Sequence, residues 1–288
     1  MKSRRGGLRL TLLALISCAF VTASAQTKKE FRYTVGPKAS IIVVNRFGPV
    51  SVRPSGNNQV IATATLHSAK AQIEDTHNPS RVELRTQLLQ NATPQEGAVD
   101  YDLQVPADAL VNVHSATGTL SARGMQGEVT LVGEAGPVIV KDTSNGHVHV
   151  KTLNGSVTLT NLSNGNVDVT SIGGDVNLNA VTGPSVNIST GSGKIVYVGD
   201  FGANGTYSLS NHSGDIDVTI PQNASVDITA RSVLGSVQND FPLAQKAQPS
   251  SFAGGGGNQG RSFAGTSNSG SSSIQLRSFS GKIRLKKQ

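Results

Sequence analysis

From residue 118 onward, apolar and polar residues alternate in short units that each begin with a glycine. The units share the form Gly-x-apolar-x-apolar, as in Gly127–Leu131, Gly136–Val140, Gly146–Val150, Gly155–Leu159, Gly165–Val169 and Gly174–Leu178. In a β-strand, successive side chains point to opposite faces, so the two apolar residues of a unit share one face. The units therefore predict short strands with a buried face of Val, Ile and Leu and an outward face of mostly Thr, Asn, Asp, Ser and His.

Successive units begin about 9 or 10 residues apart, and such a fixed short period is typical of a solenoid. We therefore predict an all-β fold, a parallel β-solenoid of β-helix or β-roll type, with two strands and about 19 residues per coil. Asn-Gly pairs such as Asn145-Gly146 also suit hairpins, so an antiparallel meander stays open as the alternative. Apolar residues seven positions after several glycines are expected to fill a corner of the core; they are Leu153, Leu162, Ile172 and Val181.

The strict period covers only part of the chain, which divides into five predicted regions. They are a signal peptide (1–25), an N-terminal β cap region (26–104), the β-solenoid repeats (105–244), a mobile Gly/Ser-rich loop (245–273), and a terminal repeat strand with a basic tail (274–288). The cap region is expected to cover the open edge of the first coil, because an uncovered edge would recruit other chains. The terminal strand is expected to close the far end.

The first 25 residues have the layout of a secretory signal peptide. Basic residues precede an apolar run from Leu10 to Val21, and Ala23-Ser24-Ala25 offers small residues for cleavage before Gln26. Leu15-Ile16-Ser17-Cys18 also resembles a lipobox, so a lipid anchor at Cys18 is the alternative processing route. The apolar run is shorter than the roughly 20 residues of a membrane-spanning helix. We therefore expect an exported protein without a transmembrane span, in the periplasm, at the outer surface or outside the cell.

Charge and composition narrow the range of partners. The chain has 32 Gly, no Trp and a formal net charge of +7, but four of its 25 basic residues precede Gln26. The excess that remains lies mostly in the C-terminal tail, at Lys282, Arg284, Lys286 and Lys287, which we interpret as a solvated tail or as a loose contact with anionic envelope polymer. Nucleic-acid binding needs a basic stripe with base-reading or stacking groups, and the body of the chain has neither. No nucleic-acid partner is therefore expected.

The residues best placed for a metal are His147, His149 and Asp168. The two histidines project from the same face of one strand, and imidazole nitrogens are common metal ligands. With a coil of 19 or 20 residues, Asp168 follows His149 in the same row of side chains. Two exposed histidines on a polar face are more often only solvated, so no metal site is predicted. The sequence also lacks phosphate-cradling, dinucleotide-binding and nucleophile motifs, so no cofactor is predicted.

The competing function is that of a polysaccharide-active β-helix enzyme, a lyase or a hydrolase. Asp175, Lys194, Asp215 and Asp217 occupy outward positions, and Asp215 and Asp217 are close enough along the strand to act as an acid and base pair. Sugar sites usually also have aromatic platforms, whereas aromatic residues make up only 4% of the chain. We therefore predict no catalytic residue and interpret these groups as solvated acids and bases.

Motifs spread over nearly all of the chain after the signal peptide resemble a known family. They are Asn45–Val52, Tyr101–Pro106, Val111–Val113, the Gly-x-Val-x-Val units, Gly235–Pro242 and Ile274–Ile283. The family is a bacterial domain-of-unknown-function family labelled "putative adhesin", related to auto-transporter adhesin heads. The resemblance implies a β-solenoid in the cell envelope and an adhesin role, and it provides no catalytic residues to carry over.

Pattern and resemblance together predict a non-enzymatic, exported cell-envelope protein. It would act as an adhesin or a scaffold, and its polar solenoid surface would bind an envelope or surface polymer or protein.

Overall fold

The computed structural model describes residues 26–246 and 259–288, so the predicted signal peptide and Cys18 lie outside the described residues. The strands form two 13-stranded sheets, named here sheet A and sheet B. In spatial order, sheet A contains β1 (Thr27–Thr34), β4 (Gln59–Leu66), β7 (Val99–Pro106), β3 (Val50–Ser55), β9 (Leu120–Arg123), β11 (Val138–Ser144), β13 (Val157–Ser163), β15 (Val176–Val181), β17 (Ile195–Val198), β19 (Ile216–Ile220), β26 (Ile283–Lys287), β21 (Val237–Asn239) and β23 (Gln259–Gly260).

Sheet B runs alongside sheet A and contributes the other strand of each coil. From the N-terminal end of the solenoid it contains β5 (Ala71–Asn78), β6 (Arg81–Leu88), β2 (Ser40–Asn45), β8 (Leu110–Thr117), β10 (Val129–Ala135), β12 (Val148–Asn154), β14 (Val167–Gly173), β16 (Ser185–Ser192), β18 (Thr206–Ser213), β25 (Ser272–Ser278), β20 (Val226–Ser232), β24 (Ser262–Ser267) and β22 (Ala244–Gln245). Among the described residues, no helix is long and apolar enough to cross a bilayer.

The repeat region is a parallel solenoid that alternates between the two sheets. In sheet B, Val129 lies beside Val148 and Val148 lies beside Val167, so one coil takes 19 residues. Strands of sheet A pair in the same parallel way, as Val138 does with Val157. The predicted parallel β-solenoid with two strands per coil is therefore confirmed, and the antiparallel meander is wrong for the repeats.

The core lies between the two sheets and is made of the alternating apolar residues of both. In β12 and β14, the buried side chains include Val148, Val150, Val167 and Val169, each no more than 3% exposed. Burial of one such side chain contributes roughly 1.5–3 kcal/mol. Because the same positions recur in every coil, this contribution accumulates along the solenoid.

The repeated glycines lie on top of one another at the corners between sheets. A Cβ atom on Gly155 would lie 2.0 Å from the carbonyl oxygen of Gly136, and one on Gly174 would lie 2.5 Å from that of Gly155. Coils at the usual strand spacing therefore leave no room for a side chain there. In the Asn145-Gly146 pair, the asparagine has the positive φ, at 60°, while Gly146 supplies the close approach.

The predicted filling of a corner by four apolar residues is half wrong. Leu162 and Val181 in sheet A are buried, whereas Leu153 and Ile172 in sheet B are 41% and 60% exposed. In sheet A, the preceding residue has left-handed backbone geometry, with φ of 52–55° at Asp142, Asn161 and Ala180. This residue interrupts the alternation, so the next side chain returns to the core. Sheet B keeps strict alternation, which turns the equivalent side chain outward.

Small polar side chains occupy the inward corner positions of sheet B. Ser171 and Thr190 are buried, and their hydroxyl groups donate to the carbonyl oxygens of Gly173 and Ser192 at 2.9 and 3.0 Å. Buried carbonyl groups need such partners because they have lost contact with water. At Ser171 and Thr190 the corner of sheet B is therefore closed by hydrogen bonds, whereas at Leu162 and Val181 the corner of sheet A is closed by apolar packing.

Both ends of the solenoid are interleaved in the chain order. At the N-terminal end, β2 lies between β6 and β8, and β3 lies between β7 and β9. At the C-terminal end, β25 lies between β18 and β20, and β26 lies between β19 and β21. The expectation that the last segment closes the far end is therefore wrong, because that segment forms an interior coil.

Antiparallel strands complete the outer coils. Beyond β7 lie β4 and β1, and beyond β6 lies β5. At the other end, β24 and β22 lie beyond β20, and β23 pairs with β21. The segment 262–267 thus forms β24, where a mobile loop was predicted over 245–273; residues 247–258 of that prediction lie outside the described residues. A change of strand direction ends the parallel stacking at these edges.

Candidate binding surface

The outward face of sheet B carries an unbroken row of hydrogen-bonding side chains, named here the polar row. Its members lie side by side in register on eight neighbouring strands; they are Asn112, Thr130, His149, Asp168, Asn187, Ser208, Gln275 and Thr229. All are half-buried or exposed. At about 4.8 Å per strand, the polar row is about 34 Å long.

The equivalent row of sheet A is less uniform. Apolar side chains interrupt it at Ile139 and Val196, between polar neighbours such as Thr158 and Asn177. Nearer its C-terminal end this row holds Asp217 and Arg284, which bind each other. Of the two faces, sheet B thus offers the longer continuous set of polar groups to a partner.

The residues considered for a metal site lie within the polar row or beside it. His149 and Asp168 are register neighbours, and the His149 Nδ1 atom lies 4.0 Å from the Asp168 Oδ2 atom. Both side chains are nearly half exposed. With Glu128 and His147 they line a shallow depression of about 380 Å³. Within residues 26–246 and 259–288, no group of three or more His, Cys, Asp or Glu side chains is suited to hold a metal ion.

The residues considered for acid and base catalysis form an ion-pair network on sheet A. Asp217 is only 6% exposed and lies 2.8 Å from both Lys194 Nζ and Arg284 Nη1. The other guanidinium nitrogen of Arg284 binds Asp215 at 2.8 Å, and Lys286 approaches Asp217 at 3.5 Å. One arginine therefore binds both carboxylates that were considered as an acid and base pair.

The charge state of Asp217 follows from these contacts. Burial raises its pKa, but hydrogen bonds and charges from Lys194 and Arg284 outweigh the burial and leave the pKa below its ordinary value. Asp217 is therefore ionised at neutral pH and is poorly suited to donate a proton. Asp175 lies apart from this cluster, and its Oδ1 atom accepts a hydrogen bond from the backbone amide of Lys194 at 2.8 Å.

The basic C-terminal residues are part of the fold, and their interpretation as a solvated tail is wrong for Arg284 and Lys286. Both lie in β26, beside β19, and bind Asp217. The sequence carried a signal for this pairing, because the unit Gly281–Leu285 has cations where Gly214–Val218 has aspartates. Opposite charges at matching positions favour neighbouring strands.

A groove at the C-terminal end of sheet B was not foreseen from the sequence. It has a volume of about 780 Å³ and is lined by residues of β20, β24 and β25; these include Thr229, Arg231, Ser262, Gln275 and Arg277. Arg277 and Arg231 are register neighbours and both are exposed. The groove depends on β24, which the repeat pattern did not predict.

The sequence profile of the Toastrack DUF4097 domain matches residues 48–286. No curated protein matches the chain. Among solved structures, a putative adhesin from Bacteroides fragilis NCTC 9343 is 13% identical, with a TM-score of 0.47, over 92% of this chain and 99% of that one. A putative cell adhesion protein from Clostridium sporogenes ATCC 15579 is 14% identical, with a TM-score of 0.31, over 91% of this chain and 100% of that one. Because the profile match covers most of its length, the chain belongs to the Toastrack DUF4097 family, as the resemblance of its motifs to a domain family of this kind predicted.

Proposed function

We propose that this protein is an exported, non-enzymatic binding protein of the cell envelope, and that the polar row of sheet B contacts an extended polymer at the cell surface. The observation that carries the proposal is the continuity of the polar row over eight strands. A polymer rich in hydroxyl groups, such as a polysaccharide, can exchange hydrogen bonds with every strand that it crosses.

The regular spacing of the polar row favours many weak contacts over one strong contact. Each neutral hydrogen bond contributes about 1 kcal/mol net, because it replaces a bond to water. Asn187, Thr130 and Ser208 offer both donor and acceptor groups on separate strands, so affinity would accumulate along the surface. We therefore expect binding to depend on several strands at once.

The ion-pair network of sheet A supports a binding role over the polysaccharide-enzyme alternative. A general acid needs a pKa near the working pH, whereas the contacts of Asp217 lower its pKa. The geometry also ties Asp215 and Asp217 to the same guanidinium group.

The test is binding of the purified protein to a panel of bacterial and plant polysaccharides. A triple variant with His149→Ala, Asp168→Ala and Asn187→Ala should lose about tenfold or more in affinity, and each single variant only about twofold. The matched control removes Thr158 and Asn177 from the equivalent row of sheet A and should bind as the unmodified protein does. Equal losses in the two sets would contradict the proposed surface.

The same panel tests the enzyme alternative. New reducing ends or unsaturated products that disappear in the Asp215→Asn or Asp217→Asn variant would replace the binding proposal with a polysaccharide-active enzyme. Intact-mass measurement on native material tests export. We expect a chain that begins at Gln26, and a diacylglyceryl-modified Cys18 at the N-terminus would show a lipoprotein instead.

A further inference from the structure

Most of the large exposed apolar side chains in the described residues lie along one edge of sheet B. They are Leu153, Ile172, Phe279, Val233 and Leu234, each 41–61% exposed, and they are named here the apolar ridge. Leu153, Ile172, Phe279 and Val233 each follow the last inward-facing residue of their strand, and Leu234 follows Val233. They form two groups, because Leu153 and Ile172 come from neighbouring strands, as do Phe279 and Val233. Between Ile172 and Phe279 the same edge holds Gly191 and His212. Single exposed apolar residues are ordinary, but groups of them along one edge indicate an interaction site.

Backbone contacts join the C-terminal members of the ridge. The amide of Leu234 donates to the carbonyl oxygen of Phe279 at 2.7 Å, and that of Val233 donates to Ser278 at 3.0 Å. The ring of His212 stacks on Phe279 with a centroid distance of 4.8 Å and an angle of 4° between the planes. Phe279 is therefore held in place although it is exposed.

A row of basic and hydroxyl side chains lies beside the apolar ridge. On each strand, the residue two positions before the ridge residue lies on the same outward face. These residues are all basic or carry a hydroxyl group; in spatial order they are Lys151, Thr170, Ser189, Ser210, Arg277 and Arg231. None of these six positions holds an acidic residue. The nearest acid on this edge is Glu134, which lies beside Leu153 on the neighbouring strand β10. Arg277 and Arg231 also line the groove that Val233 borders.

We propose that the apolar ridge docks the protein on an anionic lipid surface. The ridge side chains would enter the boundary between headgroups and acyl chains, and Lys151, Arg277 and Arg231 would lie at the level of the lipid phosphates. Reversible attachment of this type needs both apolar insertion and basic charge. The ridge lies on the outer surface at a corner of the coil, and a bilayer needs no complementary groove to receive it.

A second copy of this chain fits the ridge less well. When two ridges pack in opposite directions, the two rows of Lys151, Arg277 and Arg231 come together, and like charges at short range repel. An anionic lipid surface instead supplies the opposite charge. The inference goes beyond the proposed polymer binding, because its decisive residues lie outside the polar row.

The test is flotation of the purified protein with vesicles of phosphatidylcholine that contain about one quarter phosphatidylglycerol, and with vesicles of phosphatidylcholine alone. We expect binding to the anionic vesicles that weakens with salt, because screening reduces the attraction of exposed charges. The double variant Phe279→Ser with Leu234→Ser should bind about tenfold or more weakly, since two apolar side chains no longer leave water. Arg277→Gln should weaken binding about fivefold.

Leu89→Ser is the matched control, because Leu89 is 47% exposed but lies at the N-terminal end, away from the ridge. It should bind vesicles as the unmodified protein does, and all variants should keep their melting temperatures because the changed side chains are exposed. Absence of vesicle binding, or an equal loss in Leu89→Ser, would overturn the inference. Self-association that the double variant abolishes, without vesicle binding, would also overturn it and identify a second copy as the occupant. Polysaccharide binding by the double variant tests the proposed function separately.

Discussion

Sheets A and B are built from the same repeat unit, yet their strands end in opposite ways. In β13 of sheet A, Asn161 has φ of 55° and Leu162 is buried. In β12 of sheet B, Thr152 occupies the position equivalent to Asn161 and is buried, and Leu153 is exposed. One backbone torsion thus decides whether the apolar residue seven after the glycine joins the core or the surface.

The free energies of backbone strain and of side-chain burial explain why each arrangement is stable. Left-handed geometry at a residue other than glycine costs about 1–2 kcal/mol, and less for asparagine and aspartate. Burial of a leucine side chain contributes about 1.5–3 kcal/mol, which exceeds that cost in sheet A. In addition, the side-chain amide of Asn161 (Nδ2) donates to the Asp142 carboxylate of the previous coil at 3.0 Å. Sheet B avoids the strained residue, and the apolar ridge results.

The assignment of alternate residues to the inward and outward faces can be tested at Val167, which is 3% exposed in β14. Val167→Asp should unfold or aggregate the protein, because a buried unpaired charge costs more than about 4 kcal/mol, a large part of a typical folding free energy. Asp168→Asn is the neighbouring control and should change stability by less than about 0.5 kcal/mol. Equal melting temperatures of the two variants would show that the assignment of inward and outward faces is wrong.

The same leucine-to-alanine substitution should change the free energy of unfolding by different amounts in the two sheets. Leu162→Ala should cost about 3 kcal/mol in the free energy of unfolding, since it leaves a cavity in the core. Leu153→Ala should cost less than about 0.5 kcal/mol, because Leu153 is 41% exposed. Urea unfolding of the two variants measures both values. Similar losses would mean that the two sheets do not differ at this position.

The outward faces also differ, because sheet A pairs its charges near the C-terminal end. Asp217→Asn should cost about 2 kcal/mol at neutral pH, since it weakens the contacts with Lys194 and Arg284. The pKa of Asp217 is lowered in the folded state, so this stabilisation is present above the unfolded pKa of about 3.9 and is lost as the pH falls through the folded value. The stability difference between the unmodified protein and the variant should therefore be constant down to about pH 4 and narrow below it. A difference that widens on acidification would contradict this account.

The core of the repeats could be predicted from the sequence, because strict alternation places Val148, Val150, Val167 and Val169 on one face. The same alternation identified the outward polar row, including His149 and Asp168. The split between Leu153 and Leu162 could not be predicted. Asn161 is a residue that tolerates left-handed geometry, but Ala180 fills the same role in the next coil and gives no such signal.

The order of the last coils could not be predicted from the repeat pattern either. A periodic sequence shows that each unit stacks on another, but the units at Gly214 and Gly235 offer similar apolar faces to the unit at Gly281. Insertion of β25 and β26 between them therefore follows from tertiary packing and from the opposite charges of Asp217 and Arg284. The groove and the C-terminal part of the apolar ridge depend on this insertion, so neither was predicted.

The smallest changes in stability are expected for substitutions at the corners where the strands of the two sheets end. The hydroxyl of Thr152 is buried and has no hydrogen-bond partner among the described residues, so Thr152→Val should stabilise the protein by up to about 1 kcal/mol. Asn161→Val, at the equivalent position of sheet A, should instead destabilise it by about 1–2 kcal/mol, because a β-branched residue would have to adopt a positive φ. Thermal unfolding of both variants measures opposite shifts in melting temperature. Because the new side chain is the same in both, shifts of the same sign would show that backbone geometry does not distinguish the two corners.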